Sequence, residues 1–303
     1  MVNVTVQFDG IWIPLVTPFA HGGIDRPALT GLVKHLATQG VAGFVACGST
    51  GEAAMLDPDE QEQVLATTLD AAQGLPVLMG LAGARPERVA QRAVQLAERH
   101  AVAGFLLTAP AYVKPSQAGI VDYFRQVADA SPRPLVVYDI PARTGVRIEV
   151  STLLQLAAHP NIVAVKDCSG DRSAADAVLA DGRLALLAGN DDELFDQLAR
   201  GAVGGITASA HAATAQVNMY DRLFQVENPS SEDGDFKDYI NPDSLHIVHA
   251  YIEPSLVKAT ASDRFQFLRK GYFCLDKEST ADNIVFNRTV TLKDAWVKEV
   301  KKG

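Results

Sequence analysis

Ile162-Val163-Ala164-Val165-Lys166-Asp167 is a short apolar run that ends in a lysine, and its reading as a strand decides the fold. A run with no polar alternation is what a strand covered on both faces requires, as in a parallel sheet under helices. Seven similar runs occur: Ile11–Val16, Gly43–Cys47, Val77–Gly80, Gly104–Leu107, Leu135–Tyr138, Leu184–Ala188 and Gly204–Ala208. Helical patterns fill the gaps. The clearest opens at Asp57-Pro58-Asp59-Glu60, which supplies an N-cap, a proline at the first helical position and a capping-box glutamate. Val64, Leu65 and Leu69 then form an apolar stripe, and Gly74 predicts the stop. Glu87–His100 and Gln117–Ala130 read similarly. Eight strand–helix alternations predict either a closed (β/α)₈ TIM barrel or a doubly wound sheet. No G-x-G-x-x-G follows the first run, which favours the barrel.

The chain has 303 residues, nearly half of them hydrophobic, so a large core is available. A net charge of −9 disfavours a polyanionic partner, nucleic acid included, but permits a small anion at a locally positive site. The three cysteines, Cys47, Cys168 and Cys274, are far apart and form no C-x-x-C, which points to a reducing cytoplasmic setting. Met1–Gly10 lacks the pattern of a signal peptide. No stretch is apolar enough to span a membrane. The seven scattered histidines suggest no metal site.

Composition changes near Val217. The first 217 residues contain 39 alanines and the last 86 contain 5, while aromatic residues number 10 and 11. We therefore expect a barrel domain over 1–217 and a β-rich tail of separate origin over 218–303. Leu245–Ile252, Phe265–Phe273 and Ile284–Leu292 are its strand-like runs, and antiparallel pairing is the natural expectation. Val217, Tyr220, Leu223 and Phe224 fall at helical spacing and predict a short helix at the seam.

In a parallel barrel, chemistry gathers where strands end. Gly48-Ser49-Thr50-Gly51-Glu52 follows the second run, and its N–H groups and hydroxyls suit a carboxylate. An ordinary Gly-Ser turn is the competing reading. Tyr138 ends the fifth run, and Arg143 follows five residues later: a proton donor and a carboxylate fork. Lys166 ends the sixth. A desolvated amine is easily neutral and then nucleophilic toward a ketone. Position by itself leaves open a lysine that merely snorkels to the rim.

Gly48-Ser49-Thr50-Gly51-Glu52, Tyr138-Asp139-Ile140-Pro141-Ala142-Arg143-Thr144-Gly145, Val165-Lys166-Asp167 and Gly189-Asn190-Asp191 resemble, in order and spacing, the dihydrodipicolinate synthase / N-acetylneuraminate lyase family. Gly10–Phe19 also looks like that family's first strand. The resemblance covers residues 8 to about 212. It implies that Lys166 forms an imine with pyruvate, with no separate cofactor. It implies a proton relay of Tyr138, Thr50 and Tyr112, the last within Pro110–Pro115 and reaching a neighbouring subunit in a homodimer or homotetramer. Ser49 and Thr50 match the pyruvate-carboxylate cradle, and Gly189 and Ile206 match backbone positions of the pocket. Arg143 matches the arginine that holds the second substrate's carboxylate in the synthases. Ser49 stands for a more usual threonine, and Asp139 for a more usual asparagine.

From about Met219 the tail resembles the C-terminal anticodon-binding β-barrel region of glutaminyl-tRNA synthetase. The stretches are Tyr220–Phe224, Glu227–Pro229, Asn241–Leu245, Arg264–Phe267, Gly271–Phe273 and Val285–Val290. No H-I-G-H or K-M-S-K-S pattern occurs, so aminoacylation is not expected. Three functions follow in order. The first is a pyruvate-dependent synthase condensing pyruvate with an aldehyde, most like 4-hydroxy-tetrahydrodipicolinate synthase. The second is a 2-keto-3-deoxy sugar acid or N-acetylneuraminate aldolase, which Ser49 mildly favours. The third is an inactive fusion with an RNA-binding tail. Acids outnumber bases 14 to 12 over 218–303, which offers no basic footprint.

Overall fold

The computed structural model describes residues 8–207, 213–226, 228–231, 233–252, 256–257, 259–267, 271–280 and 283–290. Most of the stretch read for a signal peptide lies outside these residues, as do Ala208 at the end of the eighth run, Glu227, Thr291 and Leu292. The chain divides into two compact units, Met1–Ala210 and His211–Gly303.

The first unit is a closed barrel of eight parallel strands. In chain order its elements are β1 (Gly10–Pro14), α1 (Arg26–Ala37), β2 (Gly43–Ala46), α2 (Pro58–Ala71), β3 (Val77–Leu81), α3 (Pro86–Arg99), β4 (Gly104–Thr108), α4 (Gln117–Ala130), β5 (Leu135–Asp139), α5 (Val150–Leu156), β6 (Ile162–Asp167), α6 (Arg172–Asp181), β7 (Ala185–Ala188), α7 (Leu194–Ala199) and β8 (Gly204–Ile206). Closure comes from β1, which pairs with β8 through Trp12↔Ile206 and with β2 through Trp12↔Gly43. A small antiparallel ribbon, Phe19–Ala20 with Gly23–Ile24, had no visible sequence signal.

The apolar runs are buried on both faces because they feed two cores. Residues facing the helices, such as Phe44, Phe105, Leu107 and Val137, join the helix stripes in one cluster. Their neighbours along the strands, including Trp12, Val45, Leu106, Val136 and Ile206, fill the lumen. Gly43 makes room for Trp12: a Cβ there would lie 2.5 Å from the indole ring. Helix α2 begins as its sequence requires. The Asp57 carboxylate accepts from Asp59 N and Glu60 N at 2.9 and 2.8 Å, and Glu60 accepts from Asp57 N at 3.0 Å. Such a cap contributes about 1 kcal/mol.

The second unit is a five-stranded sheet of β9 (Ala213–Tyr220), β10 (Leu245–Ile252), β11 (Phe265–Phe267), β12 (Gly271–Leu275) and β13 (Val285–Val290), in the order β10-β9-β13-β12-β11. Several expectations change here. The proposed seam helix is absent: Val217 and Tyr220 belong to β9, whose tight pairing with β10 over eight residues overrides a weak helical spacing. The division between units falls at 210/211, and the alanine-rich composition continues past it through Ala213 and Ala215 into β9. The Phe265–Phe273 run divides into β11 and β12, which pair with each other. Pairing is antiparallel except between β9 and β13, which run parallel. The described strands form a sheet whose ends, β10 and β11, do not pair with each other. Its core is Ala215, Val217, Phe273, Ile284 and Phe286.

Candidate active site

Strands β5 and β6 end side by side, and their register pairs Tyr138 with Lys166 and Asp139 with Asp167. Side chains alternate along a strand, so the first pair faces the lumen and the second faces the helices. Lys166 and Tyr138 are each 5% exposed, and the Lys166 Nζ lies 4.3 Å from the centre of the Tyr138 ring. Burial lowers the Lys166 pKa below the ordinary lysine value; Cys168 and Asp191 oppose this, while the Arg143 guanidinium adds to it. The rim-snorkelling alternative therefore fails on burial. Burial raises the Tyr138 pKa, so the phenol keeps its proton at neutral pH and can donate it.

The Ser49 and Cys168 side chains adjoin the phenol, Ser49 favouring its ionised form and Cys168 opposing it. Ser49 and Thr50 belong to a 3₁₀ turn, Ser49–Gly51, that follows β2, and both are exposed. The approach to the turn is unusual. Cys47 has φ of +54°, a left-handed conformation rare for a residue with a side chain. Gly80 on β3 leaves room for it, since a Cβ there would lie 2.1 Å from the Cys47 carbonyl oxygen. Tyr112 is 93% exposed with φ of +71°, and among the described residues it makes no hydrogen bond to Thr50 or Tyr138. The relay is thus not closed within one chain.

Arg143 is held on a helical turn, Pro141–Thr144, after β5. Thr144 braces the turn by donating to the carbonyls of Ile140 and Val146 at 3.1 and 2.7 Å. Among the described residues Arg143 has no carboxylate partner. It lines a cavity of ≈ 760 Å³ together with Ser49, Tyr138, Arg85 and Arg88. Gly189 follows β7, and its N–H donates to the Asp167 carbonyl at 2.8 Å. A Cβ at Gly189 would meet Cys168 Sγ at 2.2 Å and Lys166 Cε at 3.0 Å, so the absent side chain is what admits the lysine. Ile206 is fully buried at the end of β8, in the lumen cluster that also holds Tyr138.

Three features escaped the sequence reading. Cys168 touches the phenol, but a cysteine two residues past a lysine carries no signal of that contact. Burial holds its thiol up at about 11. Asp139 and Asp167 form a buried carboxylate pair behind the site, legible only once the register is known. Arg85 and Arg88, at the start of α3, join Arg143 around the cavity.

Residues 7–237 match the dihydrodipicolinate synthetase family, and residues 207–276 match the anticodon-binding domain of class I tRNA synthetases for Glu and Gln. The 4-hydroxy-tetrahydrodipicolinate synthase of Acidothermus cellulolyticus is 40% identical over 210 residues, covering 69% of this chain and 68% of that protein. The enzyme of the same name from Haloarcula marismortui is 37% identical over 213 residues, covering 68% of each. The chloride-inhibited dihydrodipicolinate synthase of Acinetobacter baumannii, solved with pyruvate, superposes with a TM-score of 0.65 at 32% identity over 67% of this chain and 71% of that one. Among the described residues no helix is long and apolar enough to cross a membrane.

Proposed function

Since the chain belongs to the dihydrodipicolinate synthetase family, we propose that its barrel is a Schiff-base synthase that joins pyruvate to a carboxylate-bearing aldehyde such as aspartate 4-semialdehyde. The observation that carries this reading is the buried Lys166 amine stacked on the Tyr138 ring at the C-terminal end of the barrel. The neutral amine attacks the ketone carbon of pyruvate, and a C–N bond forms. The ketone oxygen takes one proton from the Tyr138 phenol and a second that the amine gives up, the C–O bond breaks, and water leaves, giving the imine. Loss of a methyl proton yields the enamine. Its carbon attacks the aldehyde carbon, and the resulting alkoxide is protonated. No separate cofactor enters this scheme.

Ser49 passes protons between the phenol and the cavity, and with Thr50 and the glycine-flanked turn it cradles the pyruvate carboxylate. Arg143, lacking a carboxylate of its own among the described residues, binds that of the aldehyde. Tyr112, exposed and in a left-handed conformation, serves a neighbouring copy of the chain in a homo-oligomer. Pyruvate consumption should be supported by aspartate 4-semialdehyde and weakly by an aldehyde of similar size without a carboxylate. Equal use of both, or efficient cleavage of a 2-keto-3-deoxy sugar acid, would replace the synthase with an aldolase.

A further inference from the structure

Asp139 and Asp167 lie behind the site, on the helix-facing side of the strands that carry Tyr138 and Lys166. They are register partners, 2% and 5% exposed. The polar groups that reach them are few. Ile148 N donates to Asp139 Oδ1 at 3.3 Å, Ser169 N to Asp167 Oδ1 at 2.8 Å, and Gln197 Nε2 to Asp167 Oδ2 at 3.1 Å. The Gln197 Oε1 is buried without a hydrogen-bond donor among the described residues. A cavity of ≈ 10 Å³, about one water in size, adjoins both carboxylates and is otherwise lined by Val165, Leu186 and aliphatic residues of α5 and α6. Around the pair stand Arg147 before α5, Asp171 at the start of α6, Glu193 and Gln197 at α7, and Cys168 after β6. Arg147 is ion-paired with Asp171, and its charge offsets the burial of Asp139 only in part.

We propose that Asp139 is held as a protonated carboxyl beside Asp167, and that this proton relieves repulsion between the ends of β5 and β6 beneath the Tyr138–Lys166 pair. Two adjacent carboxylates in an apolar wall cannot both ionise without repulsion across the strand pairing. Consistent with the geometry, burial and then the neighbouring Asp167 hold Asp139 up at about 7, with the Ile148 N–H opposing. A folded-state value raised above the unfolded one means that the folded chain binds the extra proton. Stability from it is complete below about pH 4 and is lost as pH rises to about 7.

Thermal unfolding of the full chain between pH 5 and pH 8 tests this. The parent's Tm should fall across that window by on the order of 5 °C. Asp139→Asn supplies a fixed donor in place of the carboxyl proton, so its Tm should change markedly less over the same window. Parallel Tm curves for parent and variant would overturn the proposal. Should Asp139→Asn not fold, infrared difference spectra of the parent decide. A protonated-carboxyl band present at pH 5.5 and lost by pH 8.5 supports the proton on Asp139, and its absence at pH 5.5 refutes it.

Discussion

The Lys166 amine is stacked against the Tyr138 ring, 4.3 Å from its centre, because the two residues are register partners at the ends of neighbouring strands. The amine and the phenol are thereby fixed by backbone pairing, not by a flexible loop. The strands place them, and burial sets their protonation: the amine is pushed toward its neutral form, and the phenol is kept protonated.

Tyr138→Phe removes the phenol and keeps the ring that packs on Lys166. Loss of a general acid–base group typically lowers turnover by about 10²–10⁴-fold. We expect that loss with little change in Tm, and slower but still measurable pyruvate trapping. Steady-state kinetics and a melt check both halves; undiminished turnover removes Tyr138 from the mechanism.

Ser49 and Thr50 are adjacent yet predicted to differ. Both are exposed in the turn, and the Ser49 side chain is the one that favours the ionised phenol. Ser49→Ala should therefore depress kcat more than Thr50→Val does. The opposite ranking would restore Thr50 to the relay and remove the path we draw through Ser49.

Arg143→Ala should weaken use of a carboxylate-bearing aldehyde by about 10²-fold or more in kcat/KM, while leaving the neutral aldehyde unaffected. The same change removes a positive charge that helps lower the Lys166 pKa. The pH at which pyruvate trapping reaches half its maximal rate should therefore move upward in the variant. Trapping needs the neutral amine, so its rate rises with pH through the lysine's folded value. An unchanged midpoint together with an unchanged aldehyde preference would dismiss Arg143.

Gly189→Ala tests how closely the lumen is built. Its Cβ would fall 2.2 Å from Cys168 Sγ, 2.7 Å from the Asp167 carbonyl oxygen and 3.0 Å from Lys166 Cε. The backbone oxygen cannot yield as a flexible side chain could, so β6 and β7 must shift. We expect pyruvate trapping to fall at least 10-fold, because a displacement of about 1 Å at a reacting group costs about 10²-fold. Trapping at the parental rate would show that the site tolerates the shift.

The barrel was legible because its strands are buried on both faces and announce themselves as unbroken apolar runs, and because Asp57, Pro58 and Glu60 spell out a helix start. Lys166 and Tyr138 were legible as polar ends of such runs. The rest depended on distance between residues remote in the chain. Nothing in Gly48–Glu52 says which hydroxyl meets Tyr138, since that depends on the left-handed turn at Cys47 and the room left by Gly80. The Asp139–Asp167 pairing depends on the β5–β6 register, which includes an irregularity at Leu135/Val136. In the second unit, helical spacing at Val217 and Tyr220 competed with strand pairing to β10, and local spacing carries no information about a partner about 30 residues away.

Reduction of the full chain with borohydride in the presence of pyruvate, followed by peptide mapping, tests the central claim most directly. The account predicts a single reduced pyruvate adduct on Lys166. It also predicts that Lys166→Arg, which keeps the charge but has no usable amine nucleophile, melts cooperatively and forms no adduct. An adduct on any other lysine, or one that survives in Lys166→Arg, would contradict it.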